Sequence, residues 1–346
     1  MVLKVLDEAD IIEDNLRYHR AQGVDSFVVT DTGSSDGTVE ILERYQRAGI
    51  VRLERIGRSI QDMREGGQTA IARIAHETGA DWVIHNDADE FWWPLTGNLK
   101  ETLAAIPDRF GIVLAPRADF VVRPDGESSF ADRLTVRERR FLRPPKTAHR
   151  AHPQVVTWGA HPIQLWVDTG HSPRRGMVGK PIRRTKAAHV EEHPLELVLA
   201  PTFPVGVLHF PFRSFEQYRR RAEIAIANEQ LSEGNPVRTA YEGGRLEEIY
   251  ARLTLDDDAV AGGIEEGWLV EDTAFRDCLR ACPDPLAADA AGRAPSPCGE
   301  PGGPDSLPDL EADAMYALSR YLQAFAYKGS KEGRRKAARR AASGGN

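Results

Sequence analysis

Asp81-Trp-Val-Ile-His-Asn-Asp-Ala-Asp-Glu-Phe91 runs a short apolar strand into three closely spaced carboxylates, Asp87, Asp89 and Glu90. In an open α/β sheet, ligands bind outside the carboxyl ends of the strands, so carboxylates delivered there face the ligand crevice. Two of them can hold a hard divalent cation that keeps positions open for phosphate oxygens. Asp-x-Asp is a short pattern, and its meaning depends on what surrounds it.

Upstream, strand and helix patterns alternate. Val2 to Leu6 reads as a strand, Ile11 to Ala21 as a helix with Ile12, Leu16 and His19 at helical spacing, and Ser26 to Thr30 as a buried β run. Val39 to Ala48 is a second amphipathic helix, Val51 to Arg55 a strand, and Gly67 to Glu77 a third helix. This βαβα order predicts a parallel sheet with right-handed crossovers. Asp31-Thr-Gly-Ser-Ser-Asp-Gly-Thr38 follows a strand and opens a helix, as a nucleotide-contacting loop should. Gly33 and Gly37 permit tight turns, while Ser34, Ser35 and Asp36 suit N-caps. A capped helix explains Ser35, Asp36 and Gly37, but it does not require Asp31 to leave the strand toward the crevice.

With 346 residues, the chain has room for about two domains, or one large α/β domain with additions. Hydrophobic content of 41% and charged content of 28% are ordinary for a globular protein. No apolar run approaches the ~20 residues of a membrane span. The opening residues lack the apolar stretch of a secretory signal, so the expected location is cytoplasmic. Cys278, Cys282 and Cys298, odd in number and late in the chain, argue against a disulfide framework. No second Cys/His pair accompanies Cys278 and Cys282, which argues against zinc. The net charge is -7, yet Lys328 to Arg340 carries seven Lys/Arg and one Glu. Such a tail reads as a solvated terminus or as a peripheral contact with the inner membrane surface; it does not mark a nucleic-acid protein. Arg133 to Arg150 again has seven Lys/Arg against one Glu. It suits either an anionic substrate or the exposed face of a strand.

Together, the Asp31 loop and the Asp81 to Phe91 stretch resemble the family 2 glycosyltransferases of the GT-A fold. The resemblance is closest to the branch that opens like Asp7-Glu8-Ala-Asp10-Ile-Ile and continues with Tyr18-His19 and Gly23-Val-Asp. It is dense over residues 1–95 and looser at Gly159-Ala-His161 and Leu208-His-Phe-Pro-Phe-Arg-Ser-Phe-Glu-Gln-Tyr218. It implies an α/β, Rossmann-like GT-A fold, with a mixed, mainly parallel sheet flanked by helices and a C-terminal helical extension. Residues 1–230 would form the transferase domain, with 1–95 as its nucleotide-sugar half and 96–230 as its acceptor half. Residues 231–346 would form the extension, with a Pro/Gly-rich linker at about 283–308 and the basic tail. The resemblance also implies that Asp31 contacts nucleobase or ribose, that Glu8 belongs to the same pocket, and that Asp87 lies near the ribose. Asp89 would hold a Mn2+ or Mg2+ ion bridging the diphosphate.

Other residues are read from their surroundings. His209 ends an apolar run and suits a third metal ligand beside Asp87 and Asp89, or equally a hydrogen-bonded core histidine. Arg64 precedes the third helix and suits bidentate diphosphate contact or plain exposure. The catalytic base stays open between His161 and Glu90. Glu191-Glu192 is the nearest analogue of the family's acidic pair, but its surroundings do not match. Arg213 and Arg219-Arg-Arg221 could approach phosphate, although a solvated helix face suits the cluster better. Trp92 and Trp93 suit an apolar wall for a sugar, or packing beneath the carboxylate loop. The Gln-x-x-Arg-Trp motif of processive synthases is absent.

The expected function is metal-dependent, inverting transfer of a sugar from a UDP-, GDP- or dTDP-sugar to an unidentified acceptor. A catalytically silent GT-A-like protein that binds nucleotide-sugar or glycan is the alternative. A nucleotidyltransferase is a further one, although no Gly-rich triphosphate loop stands near the N-terminus.

Overall fold

The computed structural model describes residues 1–55, 68–152, 155–157, 165–167, 174–175, 200 and 203–287. β1 (Val2–Val5), α1 (Ile12–Ala21), β2 (Phe27–Asp31), α2 (Thr38–Arg47), β3 (Val51–Arg55), α3 (Gln68–Glu77) and β4 (Trp82–Asn86) alternate as the sequence predicts. β2 is buried along its whole length, because helices cover both faces of a parallel sheet. α2 starts from Gly37 at φ +101°, a left-handed conformation that a side chain would strain.

The chain continues through β5 (Glu90–Pro94), α4 (Leu99–Ala104), β6 (Ile112–Asp119), α5 (Phe130–Arg133), β7 (Val136–Glu138) and β8 (Arg143–Arg150). Three short strands follow, β9 (Val155–Thr157), β10 (Leu165–Val167) and β11 (Arg174–Arg175), which form a small antiparallel sheet. β12 (Val205–His209) then returns to the main sheet, whose order is β3-β2-β1-β4-β8-β6-β12-β5. Its pairings are parallel from β3 to β4 and between β6 and β12, and antiparallel elsewhere. The mixed, mainly parallel sheet flanked by helices is the layout that the sequence leads one to expect.

The order of strands also fixes the sheet's shape. β4 and β5 stand four positions apart, yet only Asp87, Ala88 and Asp89 join them. In a flat sheet that gap would be ~19 Å, whereas four residues span at most ~14 Å. The sheet therefore curls, and the Asp-x-Asp turn lies across the mouth of the curl.

The later helices are α6 (Phe215–Ala227), α7 (Pro236–Glu242), α8 (Leu246–Leu253), α9 (Asp257–Glu265) and α10 (Ala274–Ala281), with β13 (Leu269–Glu271) between the last two. Residues 231–287 are built into the same body as the main sheet. β13 pairs with β7, Leu255 donates its amide to the Val122 carbonyl, and Phe275 packs edge-on or tilted among Phe91, Phe120, Phe130 and Phe210. Cys278 is disulfide-bonded, contrary to the expectation from cysteine count, and Cys282 is a free buried thiol. Most of the linker and all of the basic tail lie outside the described residues, as do Arg64, His161 and Glu191-Glu192. Among the described residues, no helix is long and apolar enough to cross a membrane.

Candidate active site

Two loops at the carboxyl ends of β1 and β2 are knitted together by side chains. The Asp7 amide donates to Ser34 Oγ at 2.9 Å, the Glu8 amide to Thr38 Oγ1 at 2.9 Å, and the Ala9 amide to Asp36 Oδ2 at 3.0 Å. In return, the Ser35 amide donates to Asp7 Oδ1 at 2.7 Å. Asp7 adopts φ +53° to make this junction. The buried Asp31 carboxylate accepts the Gly33 amide at 2.9 Å and the Ser34 amide at 3.2 Å, so it shapes the loop from within.

The helix motif noted in the sequence fastens the next element. Asn15 Nδ2 donates to the carbonyls of Ala88 and Glu90, both at 2.9 Å, and the Trp92 amide donates to His19 Nε2 at 3.1 Å. His19 is therefore neutral at Nε2, and burial pushes its pKa down to about 3. The Tyr18 hydroxyl donates to the Trp92 carbonyl at 3.1 Å, and Trp92 Nε1 donates to Asn86 Oδ1 at 3.0 Å. Trp92 and Trp93 are both buried, so both pack beneath the carboxylate turn and neither forms a wall for a sugar.

The three carboxylates of the turn have separate fates. Glu90 is fully buried: Oε1 accepts Arg117 Nη1 at 2.8 Å, and Oε2 lies 2.7 Å from Lys146 Nζ. Burial holds its pKa above the ordinary carboxylate range, against the pull of Lys146. With both oxygens engaged, Glu90 is arranged as an anchor of the turn and presents no free oxygen to an acceptor. Asp87 is bound to the same buried Lys146 at 2.5 Å, with part of its carboxylate open to solvent. Asp89 is nearly buried, and its Oδ2 lies 2.5 Å from Arg221 Nη2, 3.5 Å from His209 Nε2 and 4.0 Å from Arg213 Nη1. Burial would raise its pKa, but Arg221, His209 and Arg213 outweigh it and hold the group well below the ordinary range.

Strand pairing delivers His209. It stands opposite Glu90 on β5 and Asp119 on β6, so three strands carry these side chains to one spot. His209 Nδ1 bonds Asp119 Oδ1 at 2.7 Å. Burial would lower the imidazole pKa, but Asp89 and Asp119 raise it to about 9. A metal-binding imidazole commonly has its other nitrogen fixed by a carboxylate in this way. Asp89 and His209 thus fit two ligands of a divalent cation, with phosphate oxygens and water to complete the set. Asp87, turned to Lys146, does not join them. Among the described residues, no group of three His, Cys, Asp or Glu side chains is arranged as a metal cage.

Arg213 is buried, contrary to a phosphate-facing role. Its guanidinium spans Asp10, at 2.7 and 2.8 Å, and Glu8 at 2.7 Å. Burial first, partly countered by Arg213, pushes Glu8 up to about 7. In the Arg219-Arg-Arg221 cluster, Arg219 and Arg220 pair with Glu216 on the outer face, while Arg221 turns inward to Asp89 and to Glu8 at 3.4 Å. The cations of the Arg133 to Arg150 stretch are likewise used internally, Arg137 by Asp272, Arg143 by Glu138 and Asp119, and Arg150 by Asp108.

Sequence reasoning missed Lys146, Asp119 and Arg117. No local motif marks them, because strand pairing brings them in. Arg221 had a signal: it shares a helix face with the buried Gln217 and Tyr218, four and three residues earlier.

Residues 6–110, under a third of the chain, match the family model described as Glycosyltransferase family 92. The motifs resemble family 2, and the model that matches is that of family 92. No curated protein matches the chain in sequence. Among solved structures, S. aureus TarS 1–349 in complex with UDP-GlcNAc is similar at 18% identity, over 37% of this chain and 37% of that one, with a TM-score of 0.29. The crystal structure titled S. aureus TarS 1–349 is similar at 17%, over 43% and 46%, with a TM-score of 0.29. The one titled S. aureus TarS is similar at 14%, over 37% and 22%, with a TM-score of 0.26. The chain thus spans less than half the length of these structures.

Proposed function

We propose that the protein is a glycosyltransferase that moves a sugar from a nucleoside-diphosphate sugar to an acceptor with the help of a divalent cation. The observation that carries this reading is the meeting of Asp89 with His209 at the mouth of the curled sheet. The turn and the strand end that deliver them lie about 120 residues apart. Asp89 and the loops around Asp7 and Asp31 fall within the segment that matches a glycosyltransferase family model, and His209 lies outside it.

A Mn2+ or Mg2+ ion held by Asp89 and His209 would supply a Lewis acid for the charge that builds on the departing diphosphate. The chain's own residues do the rest. The knitted Asp7–Ala9 and Asp31–Thr38 loops form the floor for nucleobase and ribose, with Asp31 acting through the loop amides it holds. The half-open Asp87 carboxylate, steadied by Lys146, is the group offered to the ribose. Arg64 is assigned to the diphosphate from sequence. Because Glu90 has both oxygens in ion pairs, removal of the acceptor's proton falls to His161, an assignment that also comes from sequence. A single displacement of this kind inverts the anomeric centre.

Diphosphate release from UDP-, GDP- and dTDP-sugars, with and without Mn2+, tests the proposal. We expect release from one donor class, dependent on metal and lost in Asp89→Ala. Absence of release from every donor, together with nucleotide binding indifferent to Asp89→Ala, would overturn it.

A further inference from the structure

Among the described residues, three cationic side chains surround Asp89, and they differ in freedom. Arg213 is 1% exposed and locked by Glu8 and Asp10, and His209 is 12% exposed and held by Asp119. Arg221 is 37% exposed and pairs with Asp89 Oδ2. Its other nitrogen donates to the Pro211 carbonyl at 3.0 Å, a contact on the rim of the site. One turn earlier on the same helix face, Gln217 is buried with neither its side-chain oxygen nor its nitrogen hydrogen-bonded among the described residues. A buried amide without partners is costly unless something satisfies it.

We propose that Arg221 is a phosphate-binding residue of the donor site and that it changes partner when the donor arrives. With no donor present, Arg221 neutralises Asp89. A divalent cation that reaches Asp89 Oδ2 repels the guanidinium, which then turns to the diphosphate oxygens that arrive with the cation. The planar fork of an arginine suits two phosphate oxygens, and the Gln217 amide supplies a further donor on the same face. The cation then takes Asp89 and the donor takes Arg221, the two halves of one broken ion pair, so each strengthens the other's binding. This inference rests on the metal-dependent reading above.

Equilibrium Mn2+ binding, followed by the loss of the free-ion EPR signal, tests it without turnover. In the wild-type protein, Mn2+ binds weakly alone and more tightly when UDP, GDP or dTDP is added. Arg221→Met removes a charge-assisted competitor, so Mn2+ alone binds about tenfold tighter. The same variant binds the nucleoside diphosphate about tenfold more weakly in the presence of Mn2+. Arg219→Met, on the outer face, changes neither affinity, and Arg221→Gln reads the same two affinities if Arg221→Met does not fold. Unchanged or weaker Mn2+ binding in the Arg221 variants, beside a wild type that binds the ion, would overturn the exchange alone. A wild type that binds no Mn2+ with any nucleotide would overturn the metal-dependent reading and the exchange with it.

Discussion

Replacing Lys146 with Met deprives Glu90 of one of its two cationic partners and Asp87 of its anchor. Lys146 Nζ lies 2.7 Å from Glu90 Oε2 and 2.5 Å from Asp87 Oδ2, and both Lys146 and Glu90 have fully buried side chains. Breaking a buried ion pair by removing one partner costs ~3–5 kcal/mol, because the remaining charge is left uncompensated. Arg117 still holds Glu90 Oε1 at 2.8 Å, which places the loss toward the lower end, about 3 kcal/mol. That is a large fraction of the ~5–15 kcal/mol that holds a typical native fold. The loss depends on pH in a defined direction. Burial already raises the folded-state pKa of Glu90 against the pull of Lys146, and losing Lys146 raises it further. A carboxylate whose folded pKa is raised favours the fold below its unfolded pKa, and that contribution is lost as pH climbs through the folded value. The deficit of Lys146→Met is therefore largest at neutral pH and above, and it shrinks as pH falls and Glu90 takes up a proton. Urea unfolding of wild type, Lys146→Met, Glu90→Gln and the double variant across this pH range measures it. Glu90→Gln in the Lys146→Met background should recover part of the stability. A deficit independent of pH, or single effects that simply add, would refute the coupling.

Asp119→Asn should weaken Mn2+ binding by ~10–100-fold by releasing the orientation of His209, with little change in fold, as read by EPR titration. Trp92→Ala should cost ~3–5 kcal/mol in urea unfolding, because the indole is fully buried beneath the turn; a loss under ~1 kcal/mol would contradict that packing. In metal-free protein, the raised His209 pKa stabilises the fold below about 6.5, and this contribution is lost as pH rises through about 9. Melts in EDTA should show that decline, and His209→Gln should flatten it.

The first half of the sheet was legible in sequence because its signals are local. β3 spans the predicted residues, and α1, α2 and β4 lie within a residue or two of expectation, since apolar period and turn chemistry decide them without help from distant residues. The Asp89–His209 meeting could be anticipated from the position of His209 at the end of an apolar run. The ion-pair network around it could not. Lys146, Arg117 and Asp119 sit on strands whose neighbours are set by an order that no local pattern encodes. Arg213 and Arg221 look equally basic in sequence, and only helix phase and the Asp10–Glu8 clamp separate the locked one from the one that can swing. Residues after 230 read as a separate extension because their core contacts, through Phe275 and β13, are with strands more than a hundred residues earlier.

A crystal structure of the protein soaked with Mn2+ and the nucleoside diphosphate of its best donor tests the central claim most directly. One ion should contact both Asp89 and His209 at about 2.0–2.2 Å, with diphosphate oxygens completing its coordination. Diphosphate bound elsewhere, or an ion that touches neither Asp89 nor His209, would contradict it.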